Sequence, residues 1–467
     1  MWPSSSLPSA SCTAAYRRCG AAFKFHRLRE RRTNISCLVK LKGYRGFYND
    51  LDQGGQIVKL TTKLLAATAI VSATSAGAVD LEVMHWWTSG GEAAAVQEFA
   101  TAVNENTEHN WIDGAIAGGG DVARPVMVSR IIGGDPPAAF QFNHGLQAQE
   151  LIEAGLILDL TDVAEEQGWE DIVNPPSLLD ACTYEGRVYC APVNIHSWQW
   201  MWLSNAAFEE AGLEVPETWT EFVEDAPALR EAGIVPLAMG GQAWQQNGSF
   251  GVMAVALAGL DNLLAVNRDK DASVVRGEAY GQVFQAYADA REMAEGLDVQ
   301  DWNQATNAVI TGEAAAQIMG DWAQGEFAVA GMTAGEDYSC LPGLGEIAIL
   351  DTGGDAFYFP VTGDPEIEAA QKEMAALMLS PEVQVAFNSV KGSLPIRGDV
   401  DLTTVNDCTQ KGLDLLANGD TMPSGNQLLS PDTTNQLNDL MTEFWNTPSM
   451  TAEDAQERYA QIIEQAS

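Results

Sequence analysis

Basic residues are scarce in this chain. Of 467 residues, 25 are Lys or Arg and 64 are Asp or Glu. Twelve of the basic residues fall in residues 1–78, so the stretch from 79 onward carries 13 basic and 61 acidic side chains, a net charge of −48. Such a surface repels nucleic acid and anionic membranes and excludes both as partners. It suits salty surroundings, where screening relieves self-repulsion. Cysteine is also rare, and no Cys/His spacing resembles a zinc site, so neither a metal nor a cofactor is expected. Gly118-Gly119-Gly120 lacks the Lys-Ser/Thr that completes a phosphate loop and reads as a flexible turn. Internal repeats and low-complexity tracts are missing. Disorder does not follow from the charge, because 46% of the chain is hydrophobic and its acids are scattered among apolar periodic segments.

No apolar run is long enough to anchor the protein. Residues 59–78 place Lys59 and Lys63 before a short apolar stretch rich in Thr and Ser that ends in Ala76-Gly77-Ala78. That is the layout of a cleavable signal peptide, with cleavage expected after Ala78 and export to the periplasm. No cysteine near the cleavage site points to a lipid anchor. Residues 1–57 are basic and do not fit this plan; they are expected to be untranslated sequence upstream of a start at Val58, or else disordered.

The remaining chain of about 390 residues is too long for one core, so two domains are expected. Strand and helix patterns alternate, which implies an α/β protein with mostly parallel strands. Ala95, Val96, Phe99 and Val103 follow helical spacing, and Thr218 can cap a helix from Trp219. Cys182 and Cys190 flank a hairpin turning at Glu185-Gly186, which sets them roughly opposite one another. Of the three pairings open to the four exported cysteines, Cys182–Cys190 with Cys340–Cys408 is preferred.

What carries chemistry is a set of aromatic and polar residues at the ends of these elements. Leu81 to Trp87 reads as a strand, Thr88 to Gly91 as a turn and Glu92 onward as a helix. Ligands of open α/β sheets sit beyond the carboxyl ends of strands. There, tryptophan rings can cover sugar C–H faces and a carboxylate can accept hydroxyl protons. A core tryptophan and a solvated helix-start glutamate would produce the same letters. Asp321, between Gly320 and Trp322, is a second candidate acceptor, with a helix cap as its plain alternative. Lys391, before Gly392, is a candidate donor. Trp244 lies in a polar stretch where a core ring is unexpected, so it reads as a stacking platform. Trp198, Trp200 and Trp202 alternate like a strand face, partly core, with Trp198 the one able to reach a cleft.

Three ordered motifs carry a resemblance. They are Pro216-Glu217-Thr218-Trp219-Thr220-Glu221-Phe222, the segment from Gly312 to Trp322, and Ser380 to Phe387 followed by Lys391 to Arg397. The chain resembles the extracellular solute-binding proteins of bacterial sugar ABC transporters, the maltose-binding-protein-like class. Trp86-Trp87, Gly133 to Pro137 with Phe140-Gln141, Pro192 to His196 and Trp244 to Gln246 are similar to the glucose-binding branch of that class.

The resemblance implies two α/β lobes with a ligand cleft between them and three hinge crossings. These are expected near Ala191-Pro192, Cys340 to Pro342 and Leu379-Ser380, which assigns 79–191 with 341–379 to one lobe and 192–340 with 380–467 to the other. It implies a monomeric carrier, not an enzyme, that delivers a monosaccharide, foremost glucose, to the permease subunits of an ABC transporter. The implied ligand contacts are Trp86, Trp87, Glu92, Gln141, Asn143, Asn194, His196, Trp244, Asp321 and Lys391. Asn143 and Asn426 stand where that branch has histidines, which bears on the identity of the sugar. Another sugar, a small oligosaccharide, or an exported glycoside hydrolase using Glu92 and Asp321 as paired carboxylates remain alternatives.

Overall fold

The computed structural model describes residues 77–402 and 405–466. The expected upstream segment 1–57 and nearly all of the export signal lie outside the described residues.

Two sheets organise the chain, each the centre of one lobe. Numbering the strands that build them, β1 (Asp80–His85), β2 (Asn110–Ala115), β3 (Ala139–Asn143) and β4 (Cys190–Pro192) come first, followed by β5 (Trp200–Ser204), β6 (Val235–Ala238), β7 (Ala314–Ile318) and β8 (Tyr338–Pro342), and last β9 (Asp355–Tyr358). The first sheet has the order β2-β1-β3-β9-β4 and the second β8-β5-β7-β6. The expectation of mostly parallel strands holds only in part. β1 is parallel to β2 and β3, and β6 to β7. β9 is antiparallel to both β3 and β4, and β5 is antiparallel to β7 and β8. The reason is the path of the chain: β9 reaches the first sheet from the second lobe, free of the helical crossover that forces parallel neighbours.

The helices that frame the cleft are α1 (Gly90–Asn106), α2 (Gly120–Gly133), α3 (Ala243–Ala258), α4 (Leu260–Asn267), α5 (Ala323–Val329), α6 (Pro381–Lys391), α7 (Pro431–Asn446) and α8 (Ala452–Gln465). α1 buries its Ala95, Val96, Phe99 and Val103 stripe, as the spacing predicts. Phe99 stacks on Phe387 of α6 at 4.2 Å between ring centroids; Trp87, just past β1, meets both rings, and Phe357 of β9 meets Phe99 and Trp87. The second lobe has its own core, in which Met201 and Leu203 of β5 join Phe250, Phe284 and Phe444 from its helices.

Local signals agree with the sequence elsewhere. Thr218 caps its helix, its side chain accepting from the Glu221 N–H at 3.2 Å. Thr183–Tyr184 pairs antiparallel with Arg187–Val188, and Glu185 and Gly186 both adopt positive φ, the geometry of a tight two-residue hairpin turn. Cys182 bonds Cys190 across it, and Cys340 bonds Cys408. The first bridge closes a loop of sequence separation 8. Replacing both Cys182 and Cys190 by serine is expected to lower stability by about 2.5 kcal/mol, the loop-closure entropy returned to the unfolded chain. Urea unfolding measures it; a loss below about 0.5 kcal/mol would mean that the hairpin turn alone fixes this segment.

Candidate functional site

The site is built where β1, β3 and β7 end and the antiparallel β9 begins. β1 stops at His85, and the chain turns through Trp86 to Ser89 into α1. The two tryptophans part here. Trp87 points into the aromatic core of the first lobe, whereas Trp86 is half-buried with the Arg124 guanidinium 5.8 Å from its ring centroid. Ser89 caps α1 by accepting from the Glu92 N–H, which fixes Glu92 in the first turn.

Glu92 meets Lys391, the last residue of α6. That helix must stop there, because Gly392 adopts φ 85°, and a Cβ on it would lie 2.6 Å from Gln324 and 2.8 Å from the Asp321 carbonyl oxygen. Lys391 Nζ is 3.1 Å from Glu92 Oε1, and both side chains are buried. Burial pushes the Glu92 carboxyl above its ordinary range, and the Lys391 charge opposes that shift.

Asp355, the first residue of β9, is the hub of the polar wall. Its Oδ1 accepts from Gln141 Nε2 at 2.8 Å and Asn143 Nδ2 at 3.4 Å, and its Oδ2 from Asn194 Nδ2 at 3.0 Å. His196 Nδ1 lies 3.3 Å from the same Oδ2. Burial lowers the His196 pKa, against the pull of Asp355. Its neighbour His144, fully enclosed, is lowered to about 4 by burial and by the nearby His196. Both imidazoles are therefore neutral at pH 7, each with one donor and one acceptor nitrogen. Asp351, four residues before Asp355, is raised to about 7 by burial although the Gly353 N–H bonds its Oδ1 at 2.7 Å.

Facing this wall is a cluster of tryptophans. Trp322 sits at its centre, with ring centroids 4.9 Å from Trp198, 6.2 Å from Trp244 and 6.5 Å from Trp302. Its ring folds back over Gly320, where a Cβ would stand 2.0 Å from it; this is why the Gly-Asp-Trp order follows β7. The tryptophans, His196, Glu92, Lys391, Asn143, Asp351 and Asp355 line one cavity of about 440 Å³. Aromatic faces on one side and mixed donors and acceptors on the other suit a neutral polyhydroxylated ligand.

Of the residues picked from sequence, Trp86, Trp87, Glu92, Asn143, His196, Trp244 and Lys391 line the cavity, and so does Asn426. Gln141, Asn194 and Asp321 do not. Gln141 and Asn194 are buried behind the wall, spending their amides on Asp355, and the Gln141 Oε1 also accepts from the Trp86 N–H. Asp321 is 2% exposed and uses Oδ2 to accept from the Ser197 N–H, while Oδ1 has no partner among the described residues; burial holds its carboxyl well above the ordinary range. These three lie behind the lining rather than in it. Conversely, Asp351, Asp355, Trp302 and Trp322 line the cavity and were absent from the expected contacts. For Trp322 the motif was visible; for Asp355 the hint lay in the polar Asp351-Thr352-Gly353-Gly354-Asp355 run before a strand. The Gly118 to Gly120 turn, read as merely flexible, also borders the cavity. Among the described residues no group of three or more His, Cys, Asp or Glu side chains could hold a metal ion.

Known proteins share this architecture. The bacterial extracellular solute-binding protein family matches residues 87–385. A probable sugar-binding periplasmic protein of Rhizobium meliloti is 35% identical over 364 residues, covering 78% of this chain and 87% of that protein. One of the same description from Brucella melitensis is 35% identical, covering 77% and 86%. The solved structure of a chitin oligosaccharide binding protein superposes with a TM-score of 0.68 at 20% identity, over 83% of this chain and 99% of that one. With its two sheets, the cavity at their strand ends, and a family match spanning both lobes, the chain belongs to the bacterial extracellular solute-binding proteins.

Proposed function

We propose that this protein is the periplasmic sugar-binding component of an ABC transporter and that its cleft takes a monosaccharide, foremost D-glucose. The observation that carries the reading is the pairing of a Trp198–Trp244–Trp322 aromatic wall with the carboxyl, amide and lysine groups around Asp355 in one cavity. Its relatives' description as sugar-binding periplasmic proteins supports the sugar class and the compartment. The hydrolase alternative loses its carboxylate pair, since Glu92 is ion-paired to Lys391 and Asp321 does not reach the cavity. Lobe closure around the sugar would then be what the permease reads, with the carrier acting as a monomer. Where the sequence implies a third crossing near Leu379-Ser380, we place it after Lys391 and assign α6 to the first lobe, because Phe387 stacks on Phe99.

Calorimetric titration with D-glucose, galactose, mannose, xylose and maltose tests this. One-to-one binding of a monosaccharide is expected, and Trp244→Ala should weaken it about tenfold to a hundredfold through lost ring burial. Heat from maltose alone would move the reading to oligosaccharides, and no heat from any sugar would overturn it.

A further inference from the structure

The cavity is longer than the polar wall and the tryptophans. α3 runs along it, presenting Trp244, Asn247, Gly251 and Ala254 at spacings of three and four, one face of a helix. Trp244 belongs to the tryptophan cluster. One turn on, the Trp198 ring lies against Gly248, where a Cβ would stand 2.4 Å from it. Beyond that point the surroundings change. The cavity continues between α3, α4, α7 and α8, with Phe250, Leu263, Leu437 and Tyr459 as walls. At Gly251 a Cβ would meet nothing within 4 Å, so the helix faces empty space rather than a packed neighbour. Well-packed interiors rarely leave such space beside a helix.

A second observation points to an occupant. Asn267, the last residue of α4, also lines the cavity, is 8% exposed, and its Oδ1 has no hydrogen-bond partner among the described residues. A buried acceptor left bare is costly unless a donor reaches it. Asn247, Asn438 and Thr434 also line this end, but the two amides are bonded to one another, Asn247 Nδ2 donating to Asn438 Oδ1 at 2.9 Å. Mostly apolar walls with so few free polar groups do not suit a second sugar ring, whose several hydroxyls would go unpaired. They suit a compact apolar group carrying one donor.

We propose that this inner chamber receives the aglycone of a glycoside, an aromatic or aliphatic group bearing a hydroxyl, while the sugar occupies the tryptophan-lined part. The inference rests on the sugar-binding reading and extends it to the class of ligand carried.

The test is calorimetric titration of the full-length chain with D-glucose, maltose and both anomers of 4-hydroxyphenyl D-glucopyranoside, repeated with Gly251→Leu, which fills the chamber from a helical position. One anomer of the hydroxyphenyl glucoside is expected to bind at least about tenfold tighter than glucose, equivalent to about 1.4 kcal/mol. Gly251→Leu should abolish that gain and leave glucose affinity within about twofold. If glucose binds but neither anomer gains, or the gain survives in Gly251→Leu, the chamber is not an aglycone site and the monosaccharide reading stands. If a glucoside binds and free sugars do not, the chamber stands and the monosaccharide reading falls. Silence from every ligand overturns both. Because Gly251→Leu raises helix propensity, a fold defect is not expected, and its urea unfolding midpoint checks this.

Discussion

Replacing Lys391 by methionine is expected to cost about 3–5 kcal/mol of stability at pH 7. Lys391 and Glu92 face one another at 3.1 Å, 2% and 10% exposed at the side chain, so neither charge has water to fall back on. Removing one partner leaves the other as an uncompensated buried ion. Methionine keeps the volume of the stem, so the loss reports charge rather than a cavity. The Lys391 ammonium also lies 5.9 Å from the Trp87 ring centroid and 5.8 Å from that of Trp322, contacts that vanish with it. The pH dependence separates this account from a packing defect. Without Lys391 the main influence lowering the Glu92 carboxyl is gone, so its folded pKa rises further above the ordinary 4.5. A carboxyl raised in the folded state is harmless below its unfolded pKa and destabilises progressively as pH rises through the folded value. The deficit of Lys391→Met should therefore be smallest near pH 4 and largest at neutrality, and adding Glu92→Gln should recover most of it. Urea midpoints of the single and double variants at pH 4 and pH 7 measure this. A Lys391→Met protein within about 1 kcal/mol of the parent at pH 7, or a double variant no better than the single, would mean that Glu92 finds water or another partner.

Why the pair was only half visible in the sequence follows from how it is made. Each end is written locally: Ser89 caps α1 and so fixes Glu92, and Gly392 ends α6 and so fixes Lys391. Both residues were therefore legible as candidates, but their contact, across 299 positions of chain, was not. The same division runs through the site. The strand–turn–helix at Trp86, the Cys182–Cys190 hairpin and the Thr218 cap depend on near neighbours and could be read directly. Asp355 could not, because its role comes from pairing with Asn143 in the β9–β3 register, which brings together residues 212 apart. Gln141 and Asn143, two apart on β3, share one face, and no local rule says which reaches the cavity. In the fold, the second lies at the strand end and does, while the first is covered by Trp86 and Asp355. The inner chamber was invisible for the same reason, since it exists only where four helices distant in sequence fail to fill the space between them.

Asp351 makes the second large prediction, and here the expected change is a gain. Its carboxyl is 4% exposed, lines the cavity, and is pushed by burial from an ordinary 3.8 to about 7. The folded protein thus prefers Asp351 protonated, while the unfolded chain ionises it at much lower pH. The stability this preference reflects is fully present below about pH 4 and is lost as pH rises through about 7. At 1.36 kcal/mol per pH unit, the loss attributable to this group approaches about 4 kcal/mol by pH 8. Asparagine in its place never ionises, and its Oδ1 can still accept from the Gly353 N–H that bonds Asp351 now. The stability of Asp351→Asn relative to the parent should therefore shift in favour of the variant by about 4 kcal/mol between pH 4 and pH 8. Every other titrating group is common to both proteins and cancels from the difference, apart from the buried Asp321, whose own carboxyl is raised in part by the Asp351 charge. Urea unfolding of the two proteins at both pH values supplies the measurement. A difference constant with pH to within about 1 kcal/mol would mean that Asp351 is ionised throughout and held by solvent. A protonated Asp351 would also act differently in the cavity, since a neutral carboxyl donates as well as accepts, whereas an ionised one only accepts. If the proposed sugar bonds to Asp351 as an acceptor, binding should tighten above pH 7; if Asp351 donates, binding should weaken there, so the sign of the pH dependence identifies the hydrogen bond.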